Sequence, residues 1–117
     1  MRREVPPPVR SDELHTAKTE SRFRDVNERI AETAEELGTT DLALVCECAD
    51  AGCGQRIEAT VDDYEEVRAD GAQFLVAAGH EVPEHERVIG SRPSFRIVEK
   101  LRGVGAMARR LSPRPAR

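Results

Sequence analysis

Three cysteines, Cys46, Cys48 and Cys53, stand within eight residues of this 117-residue chain, and there are no others. Clustered thiolates are soft metal ligands. Structural zinc takes four donors in a tetrahedron, commonly four sulfurs or three sulfurs and one imidazole nitrogen. The nearest candidate for the fourth donor is His80, in the small-residue turn Ala77-Ala78-Gly79-His80. His85 is the less suitable histidine, because it lies among Pro83, Glu84, Glu86 and Arg87 in a charged approach to the next strand. Cys46 and Cys48, at i and i+2, project from one side of an extended strand. Cys53 returns through a turn bracketed by Gly52 and Gly54, glycines that permit a sharp bend. The metal ligands expected are therefore Cys46, Cys48, Cys53 and His80, with zinc in a structural role.

Two other uses of the thiols stay open. Cysteine packs as a small hydrophobe, and Cys46 and Cys48 continue the face begun by Leu42 and Leu44, so both could be core residues. Cys53, between two glycines in a polar loop, is poorly placed for that. Redox or catalytic use needs a thiol pKa lowered by a cation or a helix N-terminus. Here the neighbours are Glu47 and Asp50, and no basic residue follows until Arg56. Acidic neighbours raise a thiol pKa, whereas a bound divalent cation would compensate their charge. Glu47 could serve a zinc hydrolase as general base. Three thiolates and an imidazole fill the coordination sphere, however, and leave no position for water. No catalytic residue is assigned.

The elements that must position these residues are legible from periodicity. Phe23, Val26, Ile30, Ala34 and Leu37 share one face of a helix over residues 21–37, ended by Gly38. Residues 42–48 alternate as a strand, and residues 56–61 alternate again, so the two form a hairpin with Cys53 in its loop. Thr60 caps a short helix to about residue 69, with Asp62 and Asp63 in its first turn and Tyr64 and Val67 facing inward. A third strand covers residues 74–77. Residues 87–89 and 95–99 close a second hairpin. The expected fold is α+β: an N-terminal amphipathic helix on a small antiparallel sheet, with a Cys-rich metal-binding hairpin.

Composition supports one domain with a lean core: 38% hydrophobic, no Trp, one Tyr and three Phe. Small cores often need a metal or covalent staple. Residues 1–19, with Pro6-Pro7-Pro8, read as a disordered arm, residues 20–101 as the domain, and residues 102–117 as a basic tail, partly helical at most. Residues 1–10, 11–99 and 100–117 carry formal charges of +2, −12 and +6, which sum to −4. An acidic body opposes a nucleic-acid-binding core. There is neither the apolar h-region of a signal peptide nor a membrane span. A cytoplasmic protein is expected, where thiols stay reduced and clustered cysteines serve as ligands rather than disulfides.

Val26 to Ile30 (VNERI), Val45 to Cys48 (VCEC), Cys53, the Tyr64 to Arg68 stretch, Phe74 to Val76 and Gly79-His80 resemble a small family of uncharacterised actinobacterial proteins. The resemblance covers about residues 23–100. It departs at Asp63, where the pattern has glutamate, and at Ala78, where it has proline. It implies that the three thiols and His80 form one motif, which supports shared ligation. The function expected is that of a non-enzymatic, zinc-stabilised regulatory or protein-interaction module with a protein partner. The alternatives are a nucleic-acid-associated regulator that uses the basic tail, and a thiol redox protein.

Overall fold

The computed structural model describes residues 11–114, with only the backbone of residues 11 and 12. Pro6-Pro7-Pro8 and the last three residues of the basic tail lie outside the described residues. The fold is α+β. In chain order the elements are α1 (Ser11–Leu37), β1 (Asp41–Val45), β2 (Arg56–Thr60), α2 (Val61–Arg68), β3 (Gln73–Val76), β4 (Glu86–Ser91), β5 (Arg96–Lys100) and α3 (Arg102–Arg110). The strands make two antiparallel sheets, β1-β2 and β3-β5-β4.

Alternation aligns the first hairpin. Leu42 faces Ala59 and Leu44 faces Ile57 across the ladder. All four are buried, whereas Asp41, Ala43, Arg56, Glu58 and Thr60 face outward. A one-residue slip would bury the charged set, so the register is strongly specified. Thr60 then caps α2, accepting from the Asp63 N–H at 3.1 Å, and Asp62 and Asp63 complement the helix N-terminus. Tyr64 and Val67 face the core as expected. Gly38, at φ +71°, ends α1. The Gly38 N–H donates to Glu35 O at 3.2 Å and the Thr39 N–H to Ala34 O at 2.9 Å, closing the two reverse bonds of a Schellman turn.

Helix α1 departs from expectation in length and in orientation. It begins at Ser11, inside the stretch read as a disordered arm, and buries Ala17 and Thr19. It is also rotated. Val26 is 44% exposed and Leu37 75%, and of the apolar face read from the sequence only Ala34 is buried. The inward face instead carries Glu20, Ser21, Arg24 and Asn27. These polar groups are tolerable inside because each has partners there. Arg24 donates to Gly71 O at 2.7 Å and Ala108 O at 2.9 Å, and its guanidinium lies 4.8 Å from the centre of the Phe74 ring. Glu20 and Glu86 both pair with Lys100, and all three are buried. Long side chains with apolar stems thus cover Phe74 while their charged ends find one another.

The expected basic tail over residues 102–117 is partly helical, and its helix α3 packs on α1 and β5. Gly105 assists this packing. A Cβ on Gly105 would sit 2.7 Å from Lys100 O, so only glycine permits so close an approach. The tail's charge is engaged as well: Arg109 pairs with Asp70, and Arg114 with Glu28 and Glu65.

A chain truncated to begin at Glu20 is expected to lose thermal midpoint, because it removes the buried Ala17 and Thr19 and the first turns of α1. The drop should be about 5–10 °C, the shift that roughly 1–2 kcal/mol produces in a domain of about 100 residues. A midpoint equal to that of the full chain would show that residues 11–19 contribute nothing.

Candidate metal centre

Strand β1 stops at Val45, short of the expected Cys48, and the reason bears on the site. The Cys46 N–H still extends the first ladder, donating to Gln55 O at 2.9 Å. The next N–H, on Glu47, turns to the other sheet and donates to Leu75 O of β3 at 2.8 Å. Residues 46–48 therefore lie across the seam between the two sheets. Cys46 and Cys48 are both buried, and both belong to the apolar cluster of the core. They meet Cys53, returning from the β1-β2 loop, and His80, from the turn after β3; the latter two are half-buried.

The loops supply the geometry. Asp50 organises the first turn: its carbonyl accepts from the Cys53 N–H at 3.0 Å and its carboxylate from the Gly52 N–H at 2.9 Å. Neither Gly52 nor Gly54 takes up a left-handed backbone conformation. In the second turn Gly79 does, at φ +88°, immediately before His80. The His80 N–H closes this second turn on Ala77 O at 3.0 Å.

The four side chains offer three sulfurs and one nitrogen, all within 4.8 Å of one another. Nδ1 of His80 lies 3.6 Å from Sγ of Cys46 and 3.6 Å from Sγ of Cys53. In a tetrahedron with zinc–sulfur bonds of about 2.3 Å and a zinc–nitrogen bond of about 2.0–2.1 Å, the nitrogen–sulfur edge is about 3.6 Å. The donor set thus fits a tetrahedral ion once its longest separations, up to 4.8 Å, close to the sulfur–sulfur edge of about 3.8 Å. The Ala77 N–H, 3.2 Å from Sγ of Cys46, is a further donor toward a thiolate.

Burial pushes the Cys46 thiol up to about 12, and the charge of Cys48 adds to this, partly offset by the Ala77 N–H. Burial raises Cys48 as well. The acidic neighbours named from the sequence are not the main cause. Without an ion these thiols hold their protons, so metal uptake must release them.

Glu47 is placed where sequence reasoning did not put it. Its side chain is fully buried and bonds to groups outside the cluster. Its carboxylate accepts from Asn27 Nδ2 at 2.7 Å, from the Leu75 N–H at 3.0 Å, and from Arg68 Nη2 in a buried ion pair. A carboxylate so engaged is not free to act as a general base at the cluster. The signal that could have found it was the polar stripe Glu20, Arg24 and Asn27 at helical spacing, which required buried polar partners. His85 stays outside the cluster, half-buried beside Leu101, whose N–H donates to the His85 carbonyl at 2.9 Å. No helix among the described residues is long and apolar enough to cross a membrane. Compared with known proteins, the chain matches no family model, no curated protein and no solved structure.

Proposed function

We propose that Cys46, Cys48, Cys53 and His80 form a structural zinc site, and that the chain is a non-enzymatic module held together by that ion and acting through contacts with a protein partner. The observation that carries the reading is the convergence of three sulfurs and one imidazole nitrogen within 4.8 Å. Sulfur-rich tetrahedral sets favour zinc over hard cations. Four protein donors close the sphere, which suits a structural role rather than a catalytic one. The position suits it too, since an ion there ties the first hairpin to the turn that follows β3. For a protein partner the fold offers an edge strand, β4, with Val88 and Ile89 exposed. Nucleic-acid binding through the C-terminal arginines has less support, because Arg109 and Arg114 already pair with acidic side chains of the body.

Removal of the ion tests the reading. A chelator that strips zinc under reducing conditions should lower the thermal midpoint by at least about 20 °C or abolish the cooperative transition, since site energies near 10 kcal/mol are comparable to net domain stability. About one equivalent of zinc should restore it. An unchanged midpoint in protein shown to be metal-free would contradict the reading.

A further inference from the structure

We propose that Glu47 is the positioning residue of the metal centre, the group through which helices α1 and α2 hold Cys46 and Cys48 in ligating geometry. This rests on the metal reading above and adds to it a specific carrier of preorganisation.

Cys46 and Cys48 converge on Cys53 and His80, whereas the side chain of Glu47 between them bonds to Asn27, Arg68 and Leu75. Whatever holds Glu47 therefore sets the direction of both ligands. It is held from three elements. Asn27 of α1 donates to its Oε2 at 2.7 Å, Arg68 of α2 pairs with its Oε1, and the Leu75 N–H of β3 donates to the same Oε1 at 3.0 Å. The Glu47 N–H returns a bond to Leu75 O at 2.8 Å. The Asn27 amide also clasps the residue before the first ligand, accepting from the Val45 N–H at 2.8 Å and donating to Val45 O at 2.9 Å. The backbone on both sides of Cys46 is thus fixed by groups that are not among the four candidate ligands.

The energetics point the same way. Glu47 is 0% exposed and the Arg68 side chain 3%. Arg68 Nε and Nη1 have no hydrogen-bond partner among the described residues, so the contact with Glu47 carries the polar matching of this guanidinium. Loss of the carboxylate charge leaves Arg68 buried and uncompensated, and the local chain must move to hydrate it. That movement would act directly on the two flanking ligands. Groups that orient ligands without touching the metal typically change affinity by about 10–100-fold when removed. Linkage makes the effect reciprocal: an ion that fixes Cys46 and Cys48 also tightens the seating of Asn27 and Arg68.

Cobalt(II) titration of the reduced, metal-free full chain tests the proposal, because tetrahedral cobalt–thiolate absorption reports both affinity and ligand geometry. The variants are Glu47→Gln, Asn27→Ala and, as a control for general destabilisation, Val104→Ala on the buried face of α3. Glu47→Gln should bind cobalt about 10–100-fold more weakly and with shifted d–d bands. Asn27→Ala, which keeps the Glu47–Arg68 pair, should do so to a smaller extent. Val104→Ala should leave the cobalt spectrum superimposable on that of the parent. A Glu47→Gln spectrum identical to the parent's, with an affinity loss no greater than that of Val104→Ala, overturns the proposal. If Glu47→Gln does not fold, Asn27→Ala decides by the same two criteria. A parent chain that gives no tetrahedral cobalt spectrum overturns the metal reading itself, an outcome distinct from failure of the positioning role.

Discussion

His80→Ala is expected to lose the bound metal and unfold the domain, whereas His85→Ala keeps both. The geometry separates the two histidines. Nδ1 of His80 is 3.6 Å from two of the three sulfurs, while His85 is outside the cluster. Coupling makes the effect large. A ligand set assembled only in the folded chain adds its binding energy to folding, on the order of 10 kcal/mol in small zinc modules, against a typical net stability of about 5–15 kcal/mol. The core cannot easily make up the loss, because two of the ligands, Cys46 and Cys48, are themselves buried members of it. Bound metal and urea midpoints check the expectation. Metal lost in His85→Ala and kept in His80→Ala would reverse the assignment, and metal and stability kept in both would remove histidine from the site.

The second large effect is expected from Lys100→Met. Lys100 is buried between the carboxylates of Glu20 and Glu86, with its ammonium 5.6 Å from the centre of the Phe74 ring. Removing the cation leaves two acids inside with no counter-charge. Breaking a buried pair from one side costs about 3–5 kcal/mol. The loss should depend on pH in a definite direction. Burial raises Glu20 from 4.5 to about 7, with Lys100 pulling the other way. Between those values the folded chain holds a proton that the unfolded chain has released. This group's contribution to stability is therefore most favourable below about 4.5, falls as pH rises, and levels off above about 7. Without Lys100 the proton is held to still higher pH and the decline continues. Unfolding free energies from urea titration of parent and variant should differ more at pH 8 than at pH 5. A difference that is larger at pH 5, or below about 1 kcal/mol at pH 8, would mean that this triad is not the anchor of α1 on the second sheet.

Much of the site was legible because it depends on local patterns. The i, i+2 spacing of Cys46 and Cys48, the glycine before His80 and the alternation of β1 and β2 are short-range features, and all four candidate ligands meet. What periodicity could not show was which face of α1 turns inward. Phe23, Val26, Ile30, Ala34 and Leu37 make a reasonable apolar stripe, yet the helix buries Glu20, Arg24 and Asn27 instead. The choice depends on partners distant in the chain: Lys100, Gly71, Ala108, Val45 and Glu47. Tertiary pairing overrode the hydrophobic pattern, as it can where buried polar side chains find charged and hydrogen-bonding partners. The same long-range effect ends β1 at Val45, since the Glu47 N–H bonds to the second sheet rather than to the hairpin. It also packs residues 102–110, partly helical at most by expectation, as a helix against α1 and β5.

The most direct measurement is the mass of the full chain under native conditions, after expression in zinc-supplemented medium and purification without a tag. The proposed centre predicts one zinc ion per chain, with the mass lowered by the protons released from the ligating thiols. It also predicts that the ion is lost on acidification together with the folded charge-state distribution. A folded chain found only at the apo mass, with three alkylatable thiols, would contradict the account at its centre.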